Sequence, residues 1–230
     1  MFKKDGILIL LLVIIAFAAG YFFFKSENLE KEKTLQNNTQ ESAQSNELKI
    51  KKPAPKEHWN GKKNVRYVWV EYSDLQCPYC QTIHPNLTKL LSVYSGEIAW
   101  VFRQFPIPSH PKAQKSAEAT ECADELGGNE SFWKLTSLIF EKMPDMELDQ
   151  LPALASEIGL DETKFKTCLD SGKFAKKVIN QLEEGTKAGV NSTPTSIIYD
   201  LKTGKQTSVV GALPYDDLRK SLDTFISQNK

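Results

Sequence analysis

The chain has 230 residues, and its 29 Lys and Arg are balanced by 29 Asp and Glu, so the formal net charge at neutral pH is zero. That balance gives no electrostatic reason to expect a nucleic acid partner. Hydrophobic residues make up 40% of the chain and aromatic residues 10%, which is typical of a globular protein and excludes a fully disordered one. The length allows one medium-sized domain with additional segments.

Residues 6–24 form an uninterrupted apolar run that is long enough to cross a lipid bilayer. Residues 1–5 include two lysines, which favours a cytoplasmic N-terminus. A cleaved signal peptide is the alternative, because Ala16-Phe17-Ala18 resembles a cleavage site. The apolar run continues past that site to Phe24, so we favour an uncleaved transmembrane anchor. In either case we expect the rest of the chain to lie outside the cytoplasm.

Residues 25–57 are rich in Lys, Glu, Gln, Asn and Ser and contain almost no large apolar residues. Such a segment cannot bury enough apolar surface to fold, so we expect a disordered tether. The folded domain is predicted to span residues 58–230.

A pair of cysteines, in the stretch Cys77-Pro78-Tyr79-Cys80, lies where a predicted strand at residues 65–72 meets a predicted helix at residues 81–94. A thiol at a helix N-terminus faces free backbone N–H groups and the positive end of the helix dipole, and both stabilise a thiolate. Pro78 suits the first helical turn, because it has no N–H group and its φ is already helical. This arrangement is typical of a thiol–disulfide redox site.

The cysteine pair has two simpler interpretations. A structural zinc site needs four ligands, and Cys122, Cys168 and the three histidines show no matching spacing. A purely structural disulfide is the second, but so short a loop gives little loop-closure stabilisation. We therefore expect a redox-active pair with no metal and no other cofactor.

Further along the chain, the pattern predicts strand–helix–strand, then a helical insertion at about residues 111–188, then strand–strand–helix. The second strand is predicted at residues 98–105, and the last two at residues 196–199 and 207–210. The predicted helices of the insertion and of the C-terminus are 112–126, 131–142, 151–158, 161–169, 174–188 and 214–226.

This order of elements, with the cysteine pair at the first strand–helix junction, resembles a thioredoxin-like α/β fold with an inserted helical subdomain. Three segments carry a more specific resemblance to the DsbA-like family of thiol:disulfide oxidoreductases, and together they span residues 58–230. They are Val70-Glu71-Tyr72-Ser73-Asp74-Leu75-Gln76-Cys77-Pro78-Tyr79-Cys80, Gly189-Val190-Asn191-Ser192-Thr193-Pro194-Thr195 and Gly211-Ala212-Leu213-Pro214-Tyr215. Ser192 departs from the family, which often has glycine there.

The resemblance implies that Cys77 is the nucleophile and Cys80 the more buried partner, with Pro78 and Tyr79 tuning the redox motif. Because burial raises the pKa of a cysteine, we expect Cys77 to be partly exposed. The resemblance also implies a cis bond between Thr193 and Pro194 beside the cysteines, where the backbone edge can pair with an extended substrate. An ordinary trans turn is the alternative.

Glu71 lies inside an otherwise apolar strand, where burial of a carboxylate is costly and should raise its pKa. The resemblance implies that Glu71 relays protons for the buried cysteine. Strand alternation that turns Glu71 to solvent is the alternative. His84 is expected on the exposed side of the first helix.

Cys122 and Cys168 fall on different predicted helices of the insertion. Outside the cytoplasm disulfides form and persist, so we favour a structural disulfide between them over two buried free thiols. It would connect distant parts of the insertion.

The function that follows is an extracytoplasmic, membrane-anchored dithiol oxidase, expected to be monomeric, which introduces disulfides into reduced exported polypeptides. The family implies a membrane-bound, quinone-linked oxidase as the reoxidising partner. A disulfide isomerase or reductase is the first alternative, although no dimerisation domain typical of isomerases is visible. The second is a non-catalytic or metal-carrying module, because soft metals such as Cu(I) bind paired thiolates.

Overall fold

A five-stranded mixed sheet forms the centre of the computed structural model, which describes residues 48–143 and 145–230. The strand order is β1-β3-β2-β4-β5. Strands β2 and β3 pair in parallel, and the other neighbouring strands pair antiparallel. The strands are β1 His58–Asn60, β2 Tyr67–Ser73, β3 Ile98–Gln104, β4 Thr195–Asp200 and β5 Gln206–Val210.

Helices cover both faces of this sheet. Four of them, α2 to α5, lie between β3 and β4 in the chain and form the predicted insertion. The helices are α1 Pro78–Val93, α2 Ala113–Lys142, α3 Leu151–Glu157, α4 Glu162–Asp170, α5 Ala175–Lys187 and α6 Tyr215–Gln228, with a 3₁₀ turn at Leu148–Gln150. The prediction of a thioredoxin-like α/β fold with a helical insertion is therefore confirmed for the described residues.

Strand β2 lies at the centre of the sheet and is buried along its entire length. Tyr67 and Trp69 belong to one hydrophobic cluster, which contains side chains of α1, α6 and the insertion. Val68 and Val70 belong to a second cluster on the other face, against which Leu182 of α5 packs. Burial on both faces explains why this strand appears in the sequence as a nearly continuous apolar run.

Helix α2 is longer than either of the two helices predicted for its range. The sequence predicted a stop at Gly127-Gly128, and the helix is interrupted there by a kink. Gly128 has a φ of 75°, which is outside the helical range and which glycine adopts without a Cβ penalty. A second helical segment starts in a new direction after this residue, so the predicted break between two helices is confirmed, and α2 consists of these two segments.

The disulfide between Cys122 and Cys168 connects α2 to α4, with an S–S distance of 2.00 Å. Both cysteines are buried in the hydrophobic cluster on the α1 face of the sheet. The alternative of two buried free thiols is therefore wrong.

Residues before the predicted domain boundary at residue 58 also pack on the domain. Ile50 is 6% exposed and packs in the cluster of the α5 face, and its backbone N–H donates to Gln206 Oε1 at 2.9 Å. The carboxylate of Glu57 accepts from Arg103 Nε at 2.7 Å. The polar composition of residues 25–57 did not predict these contacts. The C-terminal end of the predicted tether is therefore part of the folded domain.

The predicted anchor at residues 6–24 and most of the tether lie outside the described residues. Within residues 48–143 and 145–230, each helix is either too short or too polar to span a bilayer. Strand β1 was not predicted. It has only 3 residues, and its pairing with β3 comes from the tertiary structure, because no sequence alternation marks it.

Replacing both Cys122 and Cys168 with alanine should lower the free energy of unfolding. The bond closes a loop with a sequence separation of 46, for which chain entropy predicts a loss of about 4 kcal/mol. Denaturant unfolding of the oxidised variant and wild type measures this loss. When both proteins are fully reduced, the difference should fall to the small effect of the substitutions. A difference that is the same in both conditions would contradict the prediction.

Candidate redox site

The loop between β2 and α1 places Cys77 at the N-cap of α1. Its φ of −77° and ψ of 123° are extended, and Pro78 takes the first helical position. The backbone N–H of Cys77 donates to the carbonyl of Asp74 at 3.0 Å, and its carbonyl accepts from Gln81 N at 3.1 Å. The sulfur therefore lies at the positive end of the helix, where backbone N–H groups have no helical acceptor.

Hydrogen bonds to the sulfur lower the pKa of Cys77 to about 5. The largest contribution is the bond from the Cys80 thiol, and burial opposes it. Smaller ones come from Thr193 and from the backbone N–H groups of Cys80 and Tyr79. Donors that bond to the charged form of an acid favour that form, so Cys77 is a thiolate at neutral pH in the reduced protein.

Cys77 is less exposed than we expected, with only 5% of its surface accessible. The reason is the loop before β4, because the carbonyl oxygen of Thr193 lies 3.5 Å from Cys77 Sγ. The neighbouring Tyr79 is 66% exposed and marks the side from which the sulfur can be approached.

Cys80 has the opposite environment. It is 0% exposed, and burial raises its pKa well above the usual value for a cysteine. The negative charges of Glu71 and Cys77 raise this pKa further, and the backbone N–H of Asp74, which lies 3.5 Å from Cys80 Sγ, lowers it. The two sulfurs thus differ strongly in acidity, as a site with one reactive and one proton-holding thiol requires.

Glu71 is 0% exposed, so the solvent-facing alternative is wrong. Burial raises the pKa of Glu71 to about 7. Ser73 and Trp100 oppose this rise. Trp100 Nε1 donates to Glu71 Oε2 at 3.1 Å, whereas the Ser73 hydroxyl makes no hydrogen bond of normal geometry with the described residues. A carboxyl group with a pKa near neutrality can both accept and donate a proton at that pH.

The peptide bond between Thr193 and Pro194 is cis, so the alternative of an ordinary trans turn is wrong. The carbonyl of Pro194 accepts from the backbone N–H of Gly211 at 2.9 Å. Two of the three segments that carried the family resemblance therefore contact each other, and the Thr193 carbonyl contacts the third at Cys77.

Asp74 is a buried residue of the site to which the sequence analysis gave no role. Its carboxylate accepts from the backbone N–H groups of Gln76 and Ile107, both at 2.7 Å, and it pairs with His110 Nδ1 at 2.8 Å. These bonds connect the loop before Cys77 to the loop after β3. An aspartate that bonds to the amide two residues later is a recognisable turn signal, so its local bond could have been predicted.

The expected position of His84 is also corrected. His84 is 7% exposed, and burial lowers its pKa to about 4. Its ring packs against Trp100 and Phe140, with centroid distances of 5.1 and 4.9 Å, and its Nε2 lies 2.9 Å from Ser137 Oγ. The helical insertion covers this face of α1, which periodicity within α1 alone does not reveal.

One cluster away from the cysteine pair has the composition of a metal site. Ligand atoms of His58, Glu121 and Asp124 lie within 4.8 Å of one another. The ammonium group of Lys177 already forms an ion pair with Glu121, whose carboxylate also lies 2.9 Å from His58 Nε2. Burial acts to raise the pKa of Glu121, but these two partners hold it below its usual value. The ammonium group of Lys177 is therefore the cation that this cluster already binds.

A family model described as thioredoxin matches residues 53–224. The chain belongs to the thioredoxin family. Two similar solved structures are Pseudomonas aeruginosa DsbA2 and oxidised BdbD from Bacillus subtilis, which are 24% and 22% identical to it. The match with DsbA2 covers 76% of this chain and 97% of the solved chain, with a TM-score of 0.63. The match with BdbD covers 78% of this chain and 98% of the solved chain, with a TM-score of 0.66. Both likenesses confirm the predicted thioredoxin-like fold with a helical insertion.

The curated relatives differ from this chain in size. The Na⁺/H⁺ antiporter NhaA 3 of Salinispora tropica is 29% identical over 144 residues, which are 62% of this chain and 22% of the antiporter. The chain thus matches about a fifth of that relative's length. This match assigns no transport activity to the chain.

The ionisation of Cys77 should make the stability of the reduced protein depend on pH. A pKa that is lower in the folded than in the unfolded protein adds stability that is complete above the unfolded pKa and is lost as the pH falls through the folded pKa. Reduced wild type should therefore gain roughly 2 to 3 kcal/mol over reduced Cys77→Ser between about pH 5 and neutral pH.

Denaturant unfolding of both reduced proteins at several pH values measures this gain. Oxidised wild type has no Cys77 thiol to ionise and should lack the corresponding rise. A difference between wild type and Cys77→Ser that does not change with pH would show that the folded protein does not stabilise the thiolate.

Proposed function

We propose that this protein is an extracytoplasmic dithiol oxidase that introduces disulfides into exported polypeptides through Cys77 and Cys80. The observation that carries the proposal is the pKa of Cys77, which is lowered to about 5 by hydrogen bonds that only the reduced protein can use fully. Stabilisation of the reduced form makes the disulfide form a stronger oxidant.

The reaction begins with the Cys77–Cys80 disulfide and a substrate with two thiols. A substrate thiolate attacks the sulfur of Cys77, the bond between the two enzyme sulfurs breaks, and Cys80 leaves as a thiolate that takes up a proton. The second substrate thiolate then attacks the substrate sulfur of the mixed disulfide, and Cys77 leaves as a thiolate. Two electrons pass from the substrate, which gains a disulfide, to the enzyme, which becomes a dithiol.

The electrostatics of the site suit each leaving group. Cys77 leaves easily, because its thiolate is stable at neutral pH. Cys80 is buried and leaves only when a proton reaches it. Glu71 is the group we assign to that proton, since its pKa lies near neutrality and its charge acts on Cys80.

Substrate binding is assigned to the surface around the exposed Tyr79 and the loop of Thr193 and Pro194. The Thr193 carbonyl already lies 3.5 Å from the reactive sulfur. An extended substrate chain that pairs with this backbone edge would place its cysteine beside Cys77. Main-chain pairing of this kind depends little on sequence, as an enzyme with many substrates requires.

Turnover requires an electron acceptor that restores the disulfide. We assign this role to a membrane-bound, quinone-linked oxidase, and the role of keeping the domain close to it to the predicted anchor at residues 6–24. A location outside the cytoplasm would also supply the oxidising environment in which the structural disulfide between Cys122 and Cys168 persists.

Oxidative refolding of a reduced, disulfide-containing substrate tests the proposal. The oxidised wild-type protein should accelerate recovery of the native substrate, and Cys77→Ser should abolish the acceleration, because no disulfide can form at the site. A Cys122→Ser/Cys168→Ser double variant is the matched control, since it also removes one disulfide but keeps the redox pair. Full activity of Cys77→Ser would refute the proposal.

The reduction potential of the Cys77–Cys80 pair separates the oxidase from its alternatives. An oxidase requires a value near about −120 mV, whereas a value near about −270 mV is that of a reductase. Equilibration of the protein with glutathione redox buffers, followed by acid quenching and mass spectrometry, gives the potential. A value in the reductase range would leave the exchange chemistry intact but reverse its direction.

A further inference from the structure

The indole of Trp100 makes the one side-chain hydrogen bond of normal geometry that the described residues offer to Glu71. Trp100 Nε1 lies 3.1 Å from Glu71 Oε2, and Glu71 Oε1 has no hydrogen-bond partner among these residues. Both side chains are at most 1% exposed. The Ser73 hydroxyl also lowers the pKa of Glu71, although without normal hydrogen-bond geometry. A buried carboxylate with so few donors depends strongly on each of them, because water does not replace them.

Trp100 is held in place by rings from the first helix and from the insertion. His84 of α1 lies 5.1 Å from it and Trp133 of α2 lies 4.5 Å from it, measured between ring centroids. His84 is itself fixed by its contact with Ser137 of α2. These contacts fix the plane of the indole, so its N–H points at Glu71 without a rotamer search.

We propose that Trp100 is a positioning residue for the redox reaction, whose indole N–H orients the Glu71 carboxylate and stabilises its charged form, and thereby sets the pH range in which Cys80 can be deprotonated. This inference rests on the proposed role of Glu71 in the function above. It gives the helical insertion a part in the chemistry, because α2 supplies two of the side chains that hold the indole and His84.

The step concerned is the closure of the enzyme disulfide. When Cys77 is bonded to a thiol-containing molecule, the Cys80 thiol passes its proton to the Glu71 carboxylate. The Cys80 thiolate then attacks Cys77 Sγ, the bond to the outgoing sulfur breaks, and that molecule leaves as a thiolate. Only ionised Glu71 can accept the proton, so the rate should rise with pH through the pKa of Glu71, which is about 7.

The other titratable groups near Glu71 do not replace Trp100. The charge of Cys77, at the start of α1, raises the pKa of Glu71. The charge of Glu71 in turn raises the pKa of Cys80. His84, also on α1, contacts Trp100 and is neutral at neutral pH. Across the sheet, Glu71 is paired in register with Phe102 of β3 and Ser196 of β4, and neither of these side chains titrates. From the insertion, Trp133 is the ring that contacts Trp100, and it carries no charge.

Trp69 provides a matched control for Trp100. It is equally buried, with 1% of its surface exposed, and it lies directly beside Trp100 in the register of β2 and β3. Its Nε1 has no hydrogen-bond partner in the part of the chain that the structure describes. Replacement of either tryptophan with phenylalanine removes the same atoms from the core, but only Trp100→Phe removes a bond to Glu71.

The experiment mixes the reduced protein with excess oxidised glutathione and follows the conversion of the mixed disulfide to the enzyme disulfide by acid quenching and mass spectrometry. The pH midpoint of this closure should move upward by about one pH unit in Trp100→Phe, since a hydrogen bond to a charged group is lost. Below the wild-type midpoint, closure should therefore slow by about tenfold. Trp69→Phe should keep the wild-type midpoint.

Glu71→Gln separates failure of this inference from failure of the proposed role of Glu71. If Glu71→Gln leaves the rate and pH profile of closure unchanged, the relay is refuted and the inference with it. If Glu71→Gln removes the pH dependence but Trp100→Phe behaves like Trp69→Phe, only the role of Trp100 is refuted. The reduction potential decides the oxidase proposal independently of both results.

A second measurement does not require that Trp100→Phe folds. The chain has four tryptophans, so the ¹⁵N-labelled protein should show four indole N–H resonances by NMR. Single replacements of the other three assign the Trp100 resonance by elimination. Its chemical shift should titrate with a midpoint of about 7 in the wild type, and this titration should disappear in Glu71→Gln. A Trp100 resonance that is constant across that pH range would overturn the inference.

Discussion

The hydrogen bonds received by the sulfur of Cys77 are the constraint on which the rest of the structure depends. They exist because β2 ends where α1 begins, so that the N-cap sulfur faces the thiol of Cys80 and the free amides of the first helical turn. A thiolate held in this way loses stabilisation when it forms a disulfide. The same local arrangement therefore explains both the acidity of the thiol and the oxidising character that we propose for the disulfide.

Much of the surrounding fold keeps this arrangement fixed. The carboxylate of Asp74 connects the loop before Cys77 to the loop after β3, and the backbone N–H of Asp74 faces Cys80. The loop of Thr193 covers Cys77 from the other side. The insertion packs on α1 through His84, which contacts Phe140 and Ser137, and Cys80 on the same helix is fully buried. The fold thus leaves one sulfur approachable near Tyr79 and keeps the proton chemistry of the other away from water.

The parts of the site that lie in continuous segments were predictable from the sequence. The cysteine pair, the proline at the helix start and the loop of Thr193 and Pro194 each form a local pattern with a known physical purpose. The bond between Trp100 and Glu71 was not predictable, because it depends on the register of β2 against β3. The burial of His84 depends on how a distant helix packs, and that of Ile50 on a contact with the far edge of the sheet.

The order of the elements was also predictable, whereas their contacts were less so. Patterns of apolar residues indicated the strands that lie within the sheet and the helices that cover it. They missed β1, whose 3 residues are too few to show alternation. They also divided α2 correctly at Gly128, because a glycine pair signals a stop and the backbone there is not helical.

Direct titration of the Cys77 thiolate by its ultraviolet absorbance tests the central claim. The measurement uses the reduced protein, with Cys77→Ser subtracted to remove the contribution of other groups. The account predicts a single midpoint at about pH 5. A midpoint near about 8.5, the value of an unperturbed cysteine, would contradict it.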